Sequence, residues 1–411
     1  MTSILKGSAV LAMCLTGTLL TGIVHAQSGV WTTAASEGFT ARAYHAATAY
    51  DGKIYAFGGL GSDDERVESV DMFDPSLNKW TRIATTGTFT RRLPGHASAE
   101  VGGKIYVFGG GDADKTVEAF DPVTREWTTP STTGQFTEGL SATADVIDGK
   151  IYIVAGTSFN PRLKYLNRVE VFDPATGVWT TPATTGTLRA RSAHSSAYLD
   201  GKLYIIGGYS NSTGALNTVD VLDVATNAWS TLATTGTFPA RYGHTSTVVD
   251  GKIYVLGGLT SVEEVFMLDP VTSAWTQQTS TGTFTPRNVL SAVAIGGKIY
   301  AMGGDAGVFA TTIVNVNEIY TPGATSAVHD IERSDGFRLA PNPTSGFVNV
   351  HGAPRDVSRV TVANAMGEVI FVLDAKESAM NGIDLTGVAE GVYFLRFSGA
   401  SSTSVKRIIV R

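Results

Sequence analysis

The chain of 411 residues contains a single cysteine, Cys14. That excludes a disulfide framework and a thiolate-rich metal site. Charge is sparse: 17% of residues are Asp, Glu, Lys or Arg, the net charge is −6, and no basic run occurs. A nucleic-acid partner is therefore not expected. Long apolar runs are missing as well, except at the start. Tryptophan is scarce, with six residues, but these six are evenly placed.

Residues 1–26 read as a secretory signal peptide. Lys6 supplies the positive start, Ala9 to Ile23 is largely apolar, and Val24-His25-Ala26 ends in a small residue suited to cleavage before Gln27. The run is short for a membrane span and carries Gly and Thr. Cys14 as a lipoprotein acceptor fits less well, because Met13 precedes it and the apolar run continues beyond it. Cleavage after Ala26 leaves a mature chain without cysteine, so burial and closure of the fold must stabilise it.

What is abundant is one repeated stretch. Asp250-Gly251-Lys252-Ile253-Tyr254-Val255-Leu256-Gly257-Gly258 recurs with small changes at 51–59, 102–110, 148–156, 200–208 and 296–304. Asp-Gly and Gly-Gly are what a two-residue hairpin needs, since both central positions favour φ > 0. The alternating β-branched and aromatic residues after the turn form a strand, and the segment before it forms the partner. The closing Gly pair ends the strand and admits another backbone at close range. A third strand follows, then in most copies an Asp-Pro turn, then a fourth strand opening on Trp. Trp31, Trp80, Trp127, Trp179, Trp229 and Trp275 are separated by 49, 47, 52, 50 and 46 residues. A period near fifty with four strands per unit predicts an all-β propeller of six blades over residues 27–322. Trp31 has no repeat of its own and the sixth repeat has no Trp. Val30 to Thr33 is thus expected to supply the outer strand of the last blade and to close the ring.

The Gly-Gly pair, the Tyr before it and the downstream Trp resemble the kelch repeat, over about residues 30–322. Residues 323–336 read as a linker. From 337 to 411 the composition changes to short strand patterns split by turns, which predicts a small Ig-like β-sandwich. Leu339-Ala-Pro-Asn-Pro-Thr-Ser-Gly346, Asn364 to Glu368, Asp384-Leu385, Gly391 to Leu395 and Lys406 to Arg411 make this tail similar to the type IX secretion C-terminal sorting domain of Bacteroidetes-type bacteria. The resemblance implies export by the signal peptide, recognition of the tail by the type IX secretion machinery, and a secreted or cell-surface destination.

Counting back from each hairpin turn, Arg42, Arg191, Arg241 and Arg287 occupy one position. Arg92 is one residue out of register, and the third repeat has Gly139 there, beside Glu138. The kelch resemblance implies that these Arg residues line the mouth of the central channel. A guanidinium ring there suits an anionic group, because the planar fork pairs bidentately with carboxylate, sulfate or phosphate. The alternative is that each bonds carbonyls of the next blade. His45, His96, His194 and His244 share a second position without metal-ligand spacing, so a scaffold role between inner strands is expected. The loops after the Gly pairs vary most. The longest, 157–168, carries Phe159, Arg162 and Tyr165, and the next begins at Tyr209. Aromatic rings stack on sugars or peptide side chains while cations hold an anionic group.

The acidic loops at 61–66 and 112–114 lack EF-hand order, and neither a Ser-His-Asp signature nor a phosphate loop is present, so no metal or cofactor is expected. Copper-radical oxidases of the galactose oxidase type share such a propeller but need a cross-linked Cys that this mature chain lacks. Sialic-acid mutarotases are also six-bladed kelch proteins, and in that reading Glu138 is the proton shuttle. The leading expectation is binding of a glycan or extracellular protein, with a mutarotase-like enzyme or a structural surface-assembly protein as alternatives.

Overall fold

The computed structural model describes residues 28–323 except 64, 91–94, 111–115, 138, 159–161, 260–262 and 308–311, and residues 338–410 except 341–343, 352–356, 365–368, 375–381 and 400–402. The expected signal peptide, the linker, Arg92, Glu138 and Phe159 lie outside the described residues. The chain divides into two compact units, Met1–Thr325 and Ser326–Arg411.

The hairpin turns form as their residues require. Asp51, Asp148, Asp200 and Asp250 take φ between 48° and 50°, with glycine following at 69° to 75°. In the first unit each of the first five repeats folds into an antiparallel sheet of four strands taken in chain order. In the fifth sheet these are Thr245–Val249, Lys252–Leu256, Val265–Asp269 and Ala274–Gln278. The sixth sheet is completed from the far end of the chain: Gly29–Thr33 pairs antiparallel with Asn317–Thr321, placing Trp31 opposite Tyr320. Closure thus follows from sequence economy, as the missing sixth Trp is supplied by Trp31.

Six sheets of this kind stand in the first unit, and their first strands pack on one another in cyclic order, the sixth against the first. Six apolar clusters fill the spaces between consecutive sheets. Every Trp is buried to 7% exposure or less. The Thr-Thr-Gly-Thr linkers are part of this packing. Thr86, Thr133, Thr185 and Thr235 form parallel bridges to the outer strand of the sheet they lead into, and the aromatic that ends the linker stacks on that sheet's Trp. Phe238 lies 4.1 Å from Trp275, Phe136 4.4 Å from Trp179 and Phe89 4.4 Å from Trp127. The linker threonines are therefore committed to the scaffold.

The narrow end of the sheets is tied by a closed circle of backbone hydrogen bonds. Tyr44, Gly95, Ser141, Ala193, Gly243 and Val289 hold one position in successive repeats. Each donates its N–H to the carbonyl of the preceding member, at 2.7–3.2 Å, and Tyr44 donates to Val289. All six have positive φ, from 47° at Val289 to 89° at Gly95. Left-handed backbone is costly for a β-branched residue. Val289→Gly is accordingly expected to raise stability by about 0.5–1 kcal/mol once glycine's added chain entropy is subtracted. Thermal melting of the two proteins side by side checks this; a lower Tm for the variant would show that the side chain's packing outweighs the strain.

The second unit holds two antiparallel sheets. One is made of Arg338–Ala340, Phe347–His351 and Ile383–Asp384. The other is made of Val369–Asp374, Val357–Asn364, Gly391–Gly399 and Thr403–Val410, in that spatial order. Tyr393, Leu395 and Phe397 point into a common core with Val348, Val360 and Ile408, while Phe394 and Arg396 between them face out. That is the period of two expected of a strand buried on one face.

Candidate binding face

The Arg column does not line a mouth. Arg42, Arg191 and Arg241 have no exposure and Arg287 has 3%. Each side chain turns into its own sheet, not toward the next blade. Arg42 donates to the carbonyls of Thr40, Gly58 and Ser69 and pairs with Asp71 at 2.5 Å. Arg191 pairs with Asp220, and Arg287 with Glu318 at 2.5 Å. The same acids accept the backbone N–H two residues before the Arg: Thr40 to Asp71, Arg189 to Asp220, Thr285 to Glu318. The Arg carbonyl is used as well. In the sheet before, the closing glycine donates to it: Gly208 to Arg241, Gly258 to Arg287, Gly304 to Arg42. A side chain on the first glycine of a pair meets that carbonyl too, at 2.5 Å for Gly257 against Arg287. The Gly-Gly pair and the Arg are thus two halves of one joint between sheets.

Besides the second repeat, whose out-of-register Arg92 lies outside the described residues, the third and fifth depart from the pattern. In the third, Gly139 leaves the position vacant and Arg168 fills it from the opposite side, pairing with Glu170 at 3.0 Å and donating to the carbonyl of Thr137. In the fifth, Phe266 replaces the acid and Pro239, which has no N–H, replaces the residue that would need it. Arg241 is left over the rings of Phe266 and Phe238, at 4.6 and 5.1 Å, donating to Gly257 O. Its Nε and Nη2 have no partner. Burial draws the Arg42 and Arg241 guanidinium groups down to about 10, with Asp71 opposing the fall at Arg42 and Glu264 at Arg241.

The histidines are scaffold too: His194 Nε2 meets Thr143 Oγ1 on the inner strand of the preceding sheet at 3.2 Å, as expected, whereas two others reach that sheet's second strand. His96 Nε2 bonds the carbonyl of Phe57 at 2.9 Å and His244 Nε2 that of Ile206 at 3.1 Å. Desolvation holds His45 and His194 well below their usual range and His244 at about 3.

Between the six inner strands lies a cavity of about 320 Å³, bounded at one end by the hydrogen-bonded circle. Its wall is mostly Ala, Ser and Thr, with the four histidines, Tyr44 and one carboxylate, Asp145; no Lys or Arg occurs among the described lining residues. Ser196 donates to Asp145. Burial pushes the Asp145 carboxyl up to about 6, opposed by its bonds from Ser196 and Tyr198.

At the rim of this cavity the structure brings together four tyrosines from four repeats. Tyr165 sits in the short hairpin Thr157–Ser158/Lys164–Tyr165, and Tyr209 opens the hairpin Tyr209–Ser210/Gly214–Ala215. Tyr242 is bridged to Leu259, whose N–H donates to the Tyr242 carbonyl at 2.9 Å, and Tyr209 exchanges two backbone bonds with Ser192. The rings of Tyr165 and Tyr209 lie 5.9 Å apart, and those of Tyr209 and Tyr242 5.3 Å apart and nearly perpendicular. Tyr44, in the circle itself, lines the cavity, and its phenol is raised by desolvation and then by Asp305 and Tyr242. All four are partly exposed. Of the residues expected at the site, Tyr165 and Tyr209 are brought together, and Arg162 is exposed on the same loop as Tyr165. Tyr44 and Tyr242 were not anticipated. The only sequence signal for them is that they fall in the segments next to the conserved-position histidines His45 and His244, in two repeats of six.

Comparison with known proteins agrees with this architecture. A family model described as KLHDC2/KLHL20/DRC7 Kelch-repeats domain matches residues 22–156 and 95–304, and the Kelch motif matches 286–324. The Secretion system C-terminal sorting domain matches 338–411. Kelch domain-containing protein 3 of Bos taurus is 26% identical over 179 residues, which is 40% of this chain and 47% of the relative. Kelch-like protein 26 of Danio rerio is 29% identical over 170 residues, 39% of this chain and 26% of the relative. Beta-scruin of Limulus polyphemus is 39% identical over 71 residues, 17% of this chain and 7% of the relative. The chain spans less than half the length of each of these relatives. With four-stranded antiparallel sheets repeating in register with the matched motif, and a separate all-β unit under the matched tail, the chain belongs to the kelch-repeat family and ends in a secretion-system C-terminal sorting domain.

Proposed function

We propose that this protein is an exported binding module: a six-bladed kelch propeller over residues 27–322 that captures an extracellular ligand at the loop face, followed by an Ig-like sandwich at 337–411 that directs it through the type IX secretion route. The N-terminal 26 residues would serve the first export step. Residues 323–336 would link the two parts. The observation that carries binding is the tyrosine row at the cavity rim. Tyr offers a large, rigid, amphipathic surface at low entropic cost, which is why such residues anchor recognition sites. Concave ground beside them is where ligands are held. The buried guanidinium groups weigh against the anion-receiving Arg ring that the sequence suggested, since each is consumed inside its own sheet.

The test is an array of neutral glycans, acidic glycans and extracellular-matrix proteins, probed with the full mature chain and with Tyr209→Ala. Saturable binding to at least one member, weakened by about tenfold or more in the variant with its Tm unchanged, is the expected result. Binding that is indifferent to Tyr209→Ala and Tyr165→Ala, or no saturable binding to any member, would overturn the loop-face reading.

A further inference from the structure

We propose that the ligand of this face is a neutral carbohydrate, held by the tyrosine row and by the acceptor oxygens of the cavity wall; this rests on the loop-face reading above and narrows it to one chemistry. The wall decides the class. Three of its hydroxyls spend their protons on neighbours in the protein: Ser291 Oγ donates to the carbonyl of His45 at 2.7 Å, Ser246 Oγ to that of Ser196 at 3.0 Å, and Ser196 Oγ to Asp145. Ser98 Oγ of the wall is hydrogen-bonded to Thr48 Oγ1 at 2.5 Å, one hydroxyl donating to the other. A hydroxyl that has donated still accepts. These three hydroxyls therefore offer the cavity lone pairs and no protons, beside the Asp145 carboxyl.

An anionic group brings only acceptors and would meet acceptors, together with the Asp145 carboxyl. A sugar brings hydroxyl donors and finds partners for them. The repeated guanidinium groups are withdrawn, and the exposed basic side chains beside the row, Arg162 and Lys164, stand on the Tyr165 hairpin and not in the described lining of the cavity. No Lys or Arg lines the cavity among the described residues, and the Arg column is closed into its sheets. The four imidazoles at the wall are buried to 5–6% exposure. Outside the cavity, the tyrosines offer what the C–H faces of a sugar ring need, a flat apolar surface with a phenolic oxygen at its edge. Tyr209 is central, touching the rings on both sides.

The experiment is titration calorimetry on the full mature chain with neutral gluco- and manno-configured hexasaccharides and with an oligogalacturonate of the same length. Saturable binding to a neutral sugar is expected, with a Kd that changes less than about twofold between roughly 50 and 500 mM salt, because no charge pair forms. Tyr209→Ala and Tyr165→Ala are each expected to weaken it about tenfold or more without lowering Tm, and Tyr209→Phe to retain most of it. Preference for the galacturonate with affinity that falls steeply with salt would overturn the neutral-sugar assignment. So would neutral-sugar binding that both alanine variants leave untouched. If no sugar binds but a matrix protein does, and Tyr209→Ala abolishes that, the carbohydrate assignment fails and the loop face stands; if nothing binds, both fail.

Discussion

Asp71→Ala is expected to destabilise the protein by about 3–5 kcal/mol, whereas Arg241→Met is expected to be neutral or stabilising. The two residues belong to the same repeated joint, so the contrast follows from their partners alone. Removing Asp71 strands the Arg42 guanidinium at 0% exposure and strips the Thr40 N–H of its acceptor. Arg241 has already lost its acid: Phe266 stands where Asp71, Glu170, Asp220 and Glu318 stand in other repeats, and two of its guanidinium nitrogens are unbonded. Methionine at 241 keeps the packing on Phe238 and Phe266 and removes a desolvated charge. Denaturant unfolding of the two variants and of Arg42→Met measures the differences. Equal losses at 42 and 241 would show that the Arg column acts through packing and not through charge compensation.

Stability is expected to fall steeply on acidification. His45, His194 and His244 are buried and neutral, and desolvation is the leading cause at each. Below the ordinary value of 6.5 the unfolded chain binds protons that these imidazoles refuse, so their contribution is complete above 6.5 and is lost as pH falls toward about 3, the value held by His244. For His244 alone the loss at the acid end is of order 4–5 kcal/mol. Asp145 works with the opposite sign. Its carboxyl is raised from 3.8 to about 6, so the folded state holds the extra proton, and stability is lost as pH rises through that interval. Partial exposure of this carboxyl discounts the effect to roughly 1–2 kcal/mol. Equilibrium unfolding at pH 7 and pH 4 checks both: His244→Asn should flatten the acid loss, and Asp145→Asn should gain stability at neutral pH relative to pH 4. An unchanged pH profile in His244→Asn would remove the buried imidazole as its source.

The repeat, its register and its closure were legible from residues 29–321 because they rest on local chemistry. Asp-Gly turns accept positive φ, alternating strands bury one face, and a Trp every fifty residues marks the outer strand. Closure by Trp31 followed from counting one Trp too many before the first repeat and one too few in the last. The strand pattern of the tail was legible for the same reason.

The site was legible only in fragments. Arg42, Arg191, Arg241 and Arg287 recur in phase, and in a repeat architecture a residue in phase belongs to the joint between units. Their acids lie about thirty residues on, in strands where an Asp or Glu looks like an ordinary solvent-facing residue. Arg168 shows the limit plainly: it performs the missing third-repeat role from a different position, which no repeat alignment reveals. Tyr44, Tyr165, Tyr209 and Tyr242 stand at different places in four repeats, so no period connects them.

By itself, then, the sequence determined the strands, the hairpins, the repeated unit and the separate tail, since each depends on residues close in the chain. Tertiary structure alone decided which charges are consumed inside a sheet and which rings meet at the rim. Those outcomes depend on closing six sheets into a circle, which brings residues about two hundred positions apart side by side and turns inward the side chains the sequence offered as a binding surface.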